Sequence, residues 1–466
     1  MRQLVNVPKG DRGEVMNMMF SDSPKNILLR LSIPISLGFV MLMLIDLADA
    51  FVAVRISEEA LAIQAYCYPL LYFMLALGLG INQGLTIVGS ESYVEKGIQA
   101  VYENFVHSIY LALIVATILA MGVFAIIHYQ WIDGNFMMYL SELSSYLRYM
   151  LFAIFPTFLV LLICSICQIT GRTLVIRDTL CVMLCMTIIC HPFFSLPLGL
   201  NLGLNGIAIS KSIVVSIGAL YASYRTVDLS LLRQLLFKFD GSCLRWVFSQ
   251  AFPASIIQLL VPTYLIFVTK VIANQNAMAV AGFNLGYRII MLIIIPMLAV
   301  LIAIIAMISQ YYFSKRPDLV KEVVRITLGR GSLIILLGVL CCVGVSTLVL
   351  NFKLGDMMYV EDVANQYTFK IVKQYLYLTI FITVFEYMIS VMVVCFQAIQ
   401  RSTLGMFIAS TKSILIPIPI LWFINKLGLS IVFIWFGIAL SFFLAFLVSA
   451  TVFYFQFWLP NTQSNT

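Results

Sequence analysis

Asp46 and Asp49 stand three residues apart within an apolar run, Leu44-Ile-Asp46-Leu-Ala-Asp49-Ala-Phe-Val. Three residues is close to one helical turn, so on a helix both carboxylates lie on one face. An acid so placed can take up a proton or a cation. Removal from water disfavours its charged form, which is the condition a reversible proton carrier needs. His191 lies in Thr187-Ile-Ile-Cys-His191-Pro192. Imidazole titrates near physiological pH, and Pro192 leaves upstream carbonyls without their usual donors. Two readings follow for His191: a hydrogen bond to one of those carbonyls, or a proton relay with Asp49. Glu386 and Lys412 fall inside apolar stretches as either a neutral internal pair or a second cation-coupled site. Lys211 and Arg288 are further cations in apolar surroundings, and Lys270 is placed to snorkel at a helix end.

These groups matter because of the solvent their helices occupy. Of 466 residues, 62% are hydrophobic and only 11% charged, with a mean hydropathy of +1.02. Soluble domains are near half apolar and a quarter charged, so this chain is an all-α polytopic membrane protein. The net charge of +7 is scattered rather than clustered, which argues against nucleic acid. The ten cysteines lie mostly in apolar runs and read as buried free thiols. Residues 1–26 have no apolar core with a cleavage site, so no cleaved signal peptide is expected. No G-x-x-x-x-G-K-[ST] occurs, so ATP cannot drive the chain directly. No nucleophile constellation, metal-ligand cluster or cofactor motif occurs either, and an enzyme is not expected.

A helix needs about 20 apolar residues to cross a bilayer. Apolar runs place twelve spans near 31–54, 61–89, 102–128, 147–170, 176–198, 203–224, 250–273, 277–308, 326–351, 373–399, 403–425 and 429–457. This divides the chain into an N-terminal segment 1–26, an N-lobe 27–224, a connection 225–248, a C-lobe 249–457 and a tail 458–466. Lys and Arg distribute eighteen to one set of connections and six to the other, which puts both termini in the cytoplasm and the protein in the cell membrane. The halves resemble each other. Pro34, Ala60, Ser90 and Lys96 recur as Pro253, Ala279, Ser309 and Lys315 at one offset of 219. Gln168-Ile-Thr-Gly171-Arg172 recurs as Gln397-Ala-Ile-Gln-Arg401 at 229, with an insertion of about ten residues expected in the 352–372 loop. Six spans is an even number, so the expected lobes share one topology and are related by pseudo-twofold symmetry along the membrane normal. Gly80 and Gly84 form a G-x-x-x-G pair of the kind that lets helices approach closely.

These motifs resemble the multidrug and toxic compound extrusion (MATE) transporters: Pro34…Asp46-Leu-Ala-Asp49-Ala-Phe-Val with Glu59-Ala60-Leu-Ala62, the two Gln…Arg segments, and Ala279-Val-Ala281 with Tyr287-Arg288. The likeness runs over roughly residues 25–455. It implies a V-shaped two-lobe fold and efflux of amphiphilic organic cations by antiport against protons or sodium. One branch of that family pairs a first-helix aspartate, here Asp49, with Asn, Asp and Thr of the fifth and sixth helices. Thr187, His191 and Ser210 fall at those positions, so the oxygen set of a sodium site is altered and a proton is the expected coupling ion. A flippase for lipid-linked oligosaccharide is the alternative, with Lys211, Arg288 and Lys412 available to hold pyrophosphate. The aromatic supply (34 Phe and 22 Tyr) suits lipophilic cations, and a monomer is expected.

Overall fold

Pro24 opens the first helix at a position where no N–H is required, and α1 runs over Pro24–Ile56. It stops at Ser57, whose hydroxyl accepts the Ala60 N–H at 3.0 Å and so caps α2, Glu58–Lys96. The computed structural model describes residues 22–128, 140–197, 199–235, 238–275, 277–351 and 363–459. Residues 1–21 of the expected N-terminal segment, 460–466 of the tail and 352–362 of the insertion-bearing loop lie outside that set.

The chain continues as α3 (Ile98–His128), α4 (Leu140–Ile169), α5 (Leu174–Ser195), α6 (Gly203–Thr226) and the short α7 (Leu229–Leu235). Then come α8 (Gly241–Ala273), α9 (Ala277–Phe313), α10 (Pro317–Arg325) and α11 (Ser332–Asn351), the last two joined by a π-helical turn. The sequence closes with α12 (Val363–Ala398), α13 (Ser402–Ser410), α14 (Pro417–Lys426) and α15 (Ile431–Phe453). Among the described residues, twelve helical segments are long and apolar enough to cross a membrane, six on each side of α7, as the apolar runs foretold. The 33 residues of α1 span about 50 Å, more than a hydrocarbon core of about 30 Å. Phe152, Leu220 and Phe436 stand on outward faces, each exposed. Such surfaces are stable only against lipid.

Two compact units result, Met1–Gln258 and Leu259–Thr466. In the first, α4 packs along α2 and α6, while α5 packs along α1 and α6. The α2–α4 seam carries polar cross-links: Asn82 Nδ2 donates to Ser165 Oγ at 2.8 Å, and Thr86 Oγ1 to Gln168 Oε1 at 3.2 Å. In the second, α12 is central, packing on α9, α11, α13 and α15. The Gln…Arg repeat has the same turn in each unit, left-handed at Gly171 (φ 72°) and at Gln400 (φ 60°). Glycine adopts that conformation without strain; Gln400 does so at some cost.

The connection between the sixth and seventh spans is tied to α3. Tyr102 Oη donates to the Thr226 carbonyl at 3.1 Å and accepts the Asp228 N–H at 3.0 Å. His107 Nε2 accepts the Asp240 N–H at 2.9 Å while its Nδ1–H donates to the Glu103 carbonyl at 2.7 Å. A hydrogen bond from the Ser230 hydroxyl, helped by the Leu231 and Ser230 N–H groups, holds the Asp228 carboxyl below the usual carboxylate range.

The G-x-x-x-G pair takes the first half of α8 into the first unit. A Cβ at Gly84 would lie 2.7 Å from the Ala251 nitrogen, and one at Gly80 would collide with Ser255. Gly80→Val is therefore expected to lower the unfolding midpoint in detergent, at a cost of about 1–3 kcal/mol. Gly122→Val, at a glycine with open space around it, should leave the midpoint nearly unchanged in the same thermal-shift measurement.

Candidate ion-coupling site

Helix α5 carries Pro192 inside its last turn and ends at Ser195. The chain then doubles back: the Leu200 and Leu202 N–H groups donate to the Phe193 and Phe194 carbonyls at 2.8 and 3.0 Å. Gly206 allows α6 to start against the end of α5, since a Cβ there would sit 2.6 Å from the Phe194 oxygen. Ser210 is one turn further along the same face, and its Oγ meets His191 Nδ1 at 3.1 Å. Helix α1 lies along α5 with Ile45, Asp49, Val52 and Ala53 buried. That stripe brings Asp49 Oδ1 to 2.7 Å from His191 Nε2. Lys211, the next residue of α6, closes the group: its Nζ donates to Asp49 Oδ2 at 2.7 Å.

The two contacts of the carboxylate differ. The Lys211 contact is an aligned, charge-assisted hydrogen bond. The His191 contact is short but poorly aligned as a hydrogen bond. The side chains of Asp49 and His191 are 3% and 1% exposed, whereas Lys211 is 26% exposed.

Ser210 lets this cluster accept either protonation state of the imidazole. Its hydroxyl has two acceptors in reach, His191 Nδ1 and the Ile207 carbonyl at 3.0 Å. When His191 is neutral with its proton on Nε2, Ser210 donates to Nδ1. When His191 is protonated, Nδ1–H donates to Ser210, and the hydroxyl hydrogen turns to Ile207. No heavy atom has to move.

The structure thus brings Asp49, His191 and Ser210 together, and His191 reaches a carboxylate and a hydroxyl rather than a carbonyl of its own helix. Thr187, one turn before His191, is fully buried, and its hydroxyl has no partner among the described residues. Asp46 is exposed, in electrostatic reach of Lys211 and Asp49 but outside the hydrogen-bonded group. Three residues turn a helix by about 300°, not a full circle, so the two acids share a face only loosely. Lys211 is the residue that spacing did not assign to this group. Its signal was present, since an intramembrane cation needs a counter-charge, but nothing linear says that α6 lies within reach of α1.

In the second unit, Lys412 Nζ is 3.5 Å from Glu386 Oε1 on α12 and 3.3 Å from Ser390 Oγ. Lys412 sits in a π-helical turn, Thr411–Leu415, just before Pro417. Pro417 has no N–H to continue the ladder, and the wider turn absorbs the break. Nearby, Phe283 stacks on Tyr287 and on Trp435, with Tyr375 edge-on to Phe283 at 5.0 Å. Glu386 acts electrostatically on Tyr264 and Tyr375 of this aromatic group. Among the described residues, no cluster of His, Cys, Asp and Glu has a geometry that could hold a metal ion.

The MatE family model matches the chain twice, over residues 34–200 and 253–423. The chain belongs to the MatE family. Its members are membrane transporters, and the two matches begin at Pro34 and Pro253, the first pair of the 219-residue repeat. No curated protein matches the sequence significantly. Among solved structures, an outward-facing multidrug resistance MATE transporter of the MOP superfamily superposes with a TM-score of 0.80 at 18% identity, covering 96% of this chain and 97% of its own. A MOP superfamily transporter from Pyrococcus furiosus, described as having a binding pocket of reversed polarity, gives 0.81 at 19% identity, with 96% and 97% covered. A MATE protein in complex with MaL6 gives 0.80 at 18%, covering 95% and 97%. At these identities the likeness is one of fold, the twelve-helix, two-lobe MATE fold.

The Glu386–Lys412 contact makes a stability test. Lys412→Met strands a carboxylate in the membrane interior and is expected to cost a few kcal/mol. Adding Glu386→Gln should restore part of that loss, measured as unfolding midpoints of the single and double variants in one detergent.

Proposed function

We propose that this MatE-family chain is a proton-coupled antiporter that exports amphiphilic organic cations or drugs across the cell membrane by alternating access. The observation that carries this reading is the buried Asp49 carboxylate held between an imidazole and an ammonium, 2.7 Å from each. Asp49 is the proton carrier. His191 extends its route, with Ser210 absorbing the change of ring protonation and Thr187 lining the same face. Asp46, exposed one turn earlier, gathers cations at the entrance. Glu386 and the aromatic group of the second unit suit a flat organic cation through charge and cation–π contact. The lobes 27–224 and 249–457 are the moving parts, the connection 225–248 joins them, and both termini are cytoplasmic. The protein works as a monomer.

One proton moving down a single pH unit supplies about 1.4 kcal/mol, and one charge crossing 100 mV about 2.3 kcal/mol. Together they sustain a substrate gradient of several hundredfold. The lipid-linked oligosaccharide reading needs free cations for pyrophosphate, and of Lys211, Arg288 and Lys412 the two lysines are tied to carboxylates.

Efflux of a fluorescent organic cation from proteoliposomes tests the proposal. An imposed pH gradient should drive it. Asp49→Asn should remain folded and bind the dye yet lose pH-driven efflux, and His191→Asn should shift the pH dependence. Efflux that follows an inward sodium gradient at equal pH, with Asp49→Asn still active, refutes the mechanism.

A further inference from the structure

We propose that His107 is a pH-sensitive latch. While its ring is neutral it holds the connection between the sixth and seventh spans, and with it the start of α8, against α3; on protonation it lets go. The latch lies apart from the Asp49 group and rests on neither the coupling ion nor the cargo. Its basis is the chemistry of the two partners. A backbone N–H can only donate, and a backbone carbonyl can only accept. The Asp240 N–H at 2.9 Å therefore requires a lone pair on Nε2, and the Glu103 carbonyl at 2.7 Å requires a hydrogen on Nδ1. One form of histidine meets both demands, the neutral ring with its proton on Nδ1. A second proton sets Nε2–H against the Asp240 N–H, and that backbone group cannot reverse its role.

The ring is buried, with Tyr110 edge-on at 5.9 Å and Phe239 tilted over it at 6.1 Å. The charged and titratable groups around it are Glu103 and Tyr110 on α3, Asp240 on the connection, and Cys243 of α8 with Lys96 of α2 in electrostatic reach of that thiol. Helix α7 also packs on α3, and its Arg233 is exposed. The acid that interacts electrostatically with the ring is Asp240 itself. Its Oδ1 accepts the Ser242 N–H at 2.8 Å and the Ser242 hydroxyl at 2.7 Å, and its carbonyl accepts the Leu244 N–H at 3.1 Å. Asp240 is thus the N-cap of α8. Turning its carboxylate towards an imidazolium takes it from the first turn of that helix, so protonation loosens the start of α8 by either route. Helix α8 begins in the first unit and continues past Gln258, where that unit ends. The neighbouring ties contain no imidazole: Tyr102 holds Thr226 and Asp228, and Cys243 Sγ donates to Asn104 Oδ1 at 3.1 Å. Imidazole is the side chain whose charge ordinarily changes between about pH 5 and 8. The His107–Asp240 bond belongs to the upper end of that range and is lost as the pH falls.

The Asp228 amide, bonded to the Tyr102 hydroxyl on the same helix, supplies an internal standard. Hydrogen exchange of the full-length protein in detergent, read at single amides and corrected for the pH dependence of intrinsic exchange, compares the two. From about pH 8 to about pH 5 the protection of the Asp240 amide is expected to fall about tenfold relative to that of Asp228, as the loss of one hydrogen bond implies. His107→Gln, whose carboxamide oxygen accepts an N–H and does not titrate, is expected to hold the ratio constant over the range. His107→Phe should lower it at every pH. A wild-type ratio that does not change with pH overturns the proposal, whether or not the variants fold. A pH-dependent fall in His107→Gln equal to that of the wild type overturns it as well, because another group must then be titrating. Since exchange is read without substrate or transport, the antiport reading stands or falls separately in the liposome experiment.

Discussion

A charge without a partner inside a membrane protein costs several kcal/mol, more than most packing defects. In the first unit that constraint falls on Asp49, sealed from solvent together with His191. The carboxylate is tolerable there because α6 delivers an ammonium to one oxygen and α5 an imidazole to the other. Helix α1, remote in sequence, and the consecutive helices α5 and α6 are thereby committed to one relative placement. The α1–α5 and α5–α6 packing, the tight return at Gly206 and the buried stripe of α1 all serve the geometry of that contact.

Around this charged centre, the helices hold together by close approach and local hydrogen bonding. Association between helices in lipid gains little from the hydrophobic effect, since the tails are as apolar as the side chains. The α2–α4 seam uses Asn82, Ser165, Thr86 and Gln168, and the α2–α8 crossing uses the bare backbones of Gly80 and Gly84. The second unit relies instead on aromatic packing about Phe283, Tyr375 and Trp435. The chain has repeated its scaffold without repeating its chemistry. Gly171 and Gln400 preserve one turn, while the charged pairs stand at unrelated places, on α1 and α6 in one unit and on α12 and the following π turn in the other.

This asymmetry has a functional sense. The Asp49 group is enclosed and rich in exchangeable protons, which suits an ion. The Glu386 side chain is more open than that of Asp49, 25% exposed, and lies beside flat aromatic surfaces, which suits an organic molecule. In the proposed antiport, ion and cargo are divided between the two units and coupled through motion rather than through direct contact.

The solvent, the number of spans and the repeat are legible in the chain alone, because each is written locally: about twenty apolar residues make a span, and shared offsets mark a duplicated unit. The chain alone also singles out Asp49, His191, Ser210, Glu386 and Lys412, since a polar group in an apolar helix is conspicuous. Which of them meet is set by how the helices pack. Lys211 is 162 residues from Asp49, and nothing in either neighbourhood specifies that α6 rather than another helix lies beside α1. Asp46 and Asp49 have nearly the same local context, yet one is exposed and the other sealed, because a 60° difference around α1 separates the surface from the face that α5 covers. Pairing in a low-dielectric interior is a property of helix packing, and helix packing is a sum over contacts that no single segment contains.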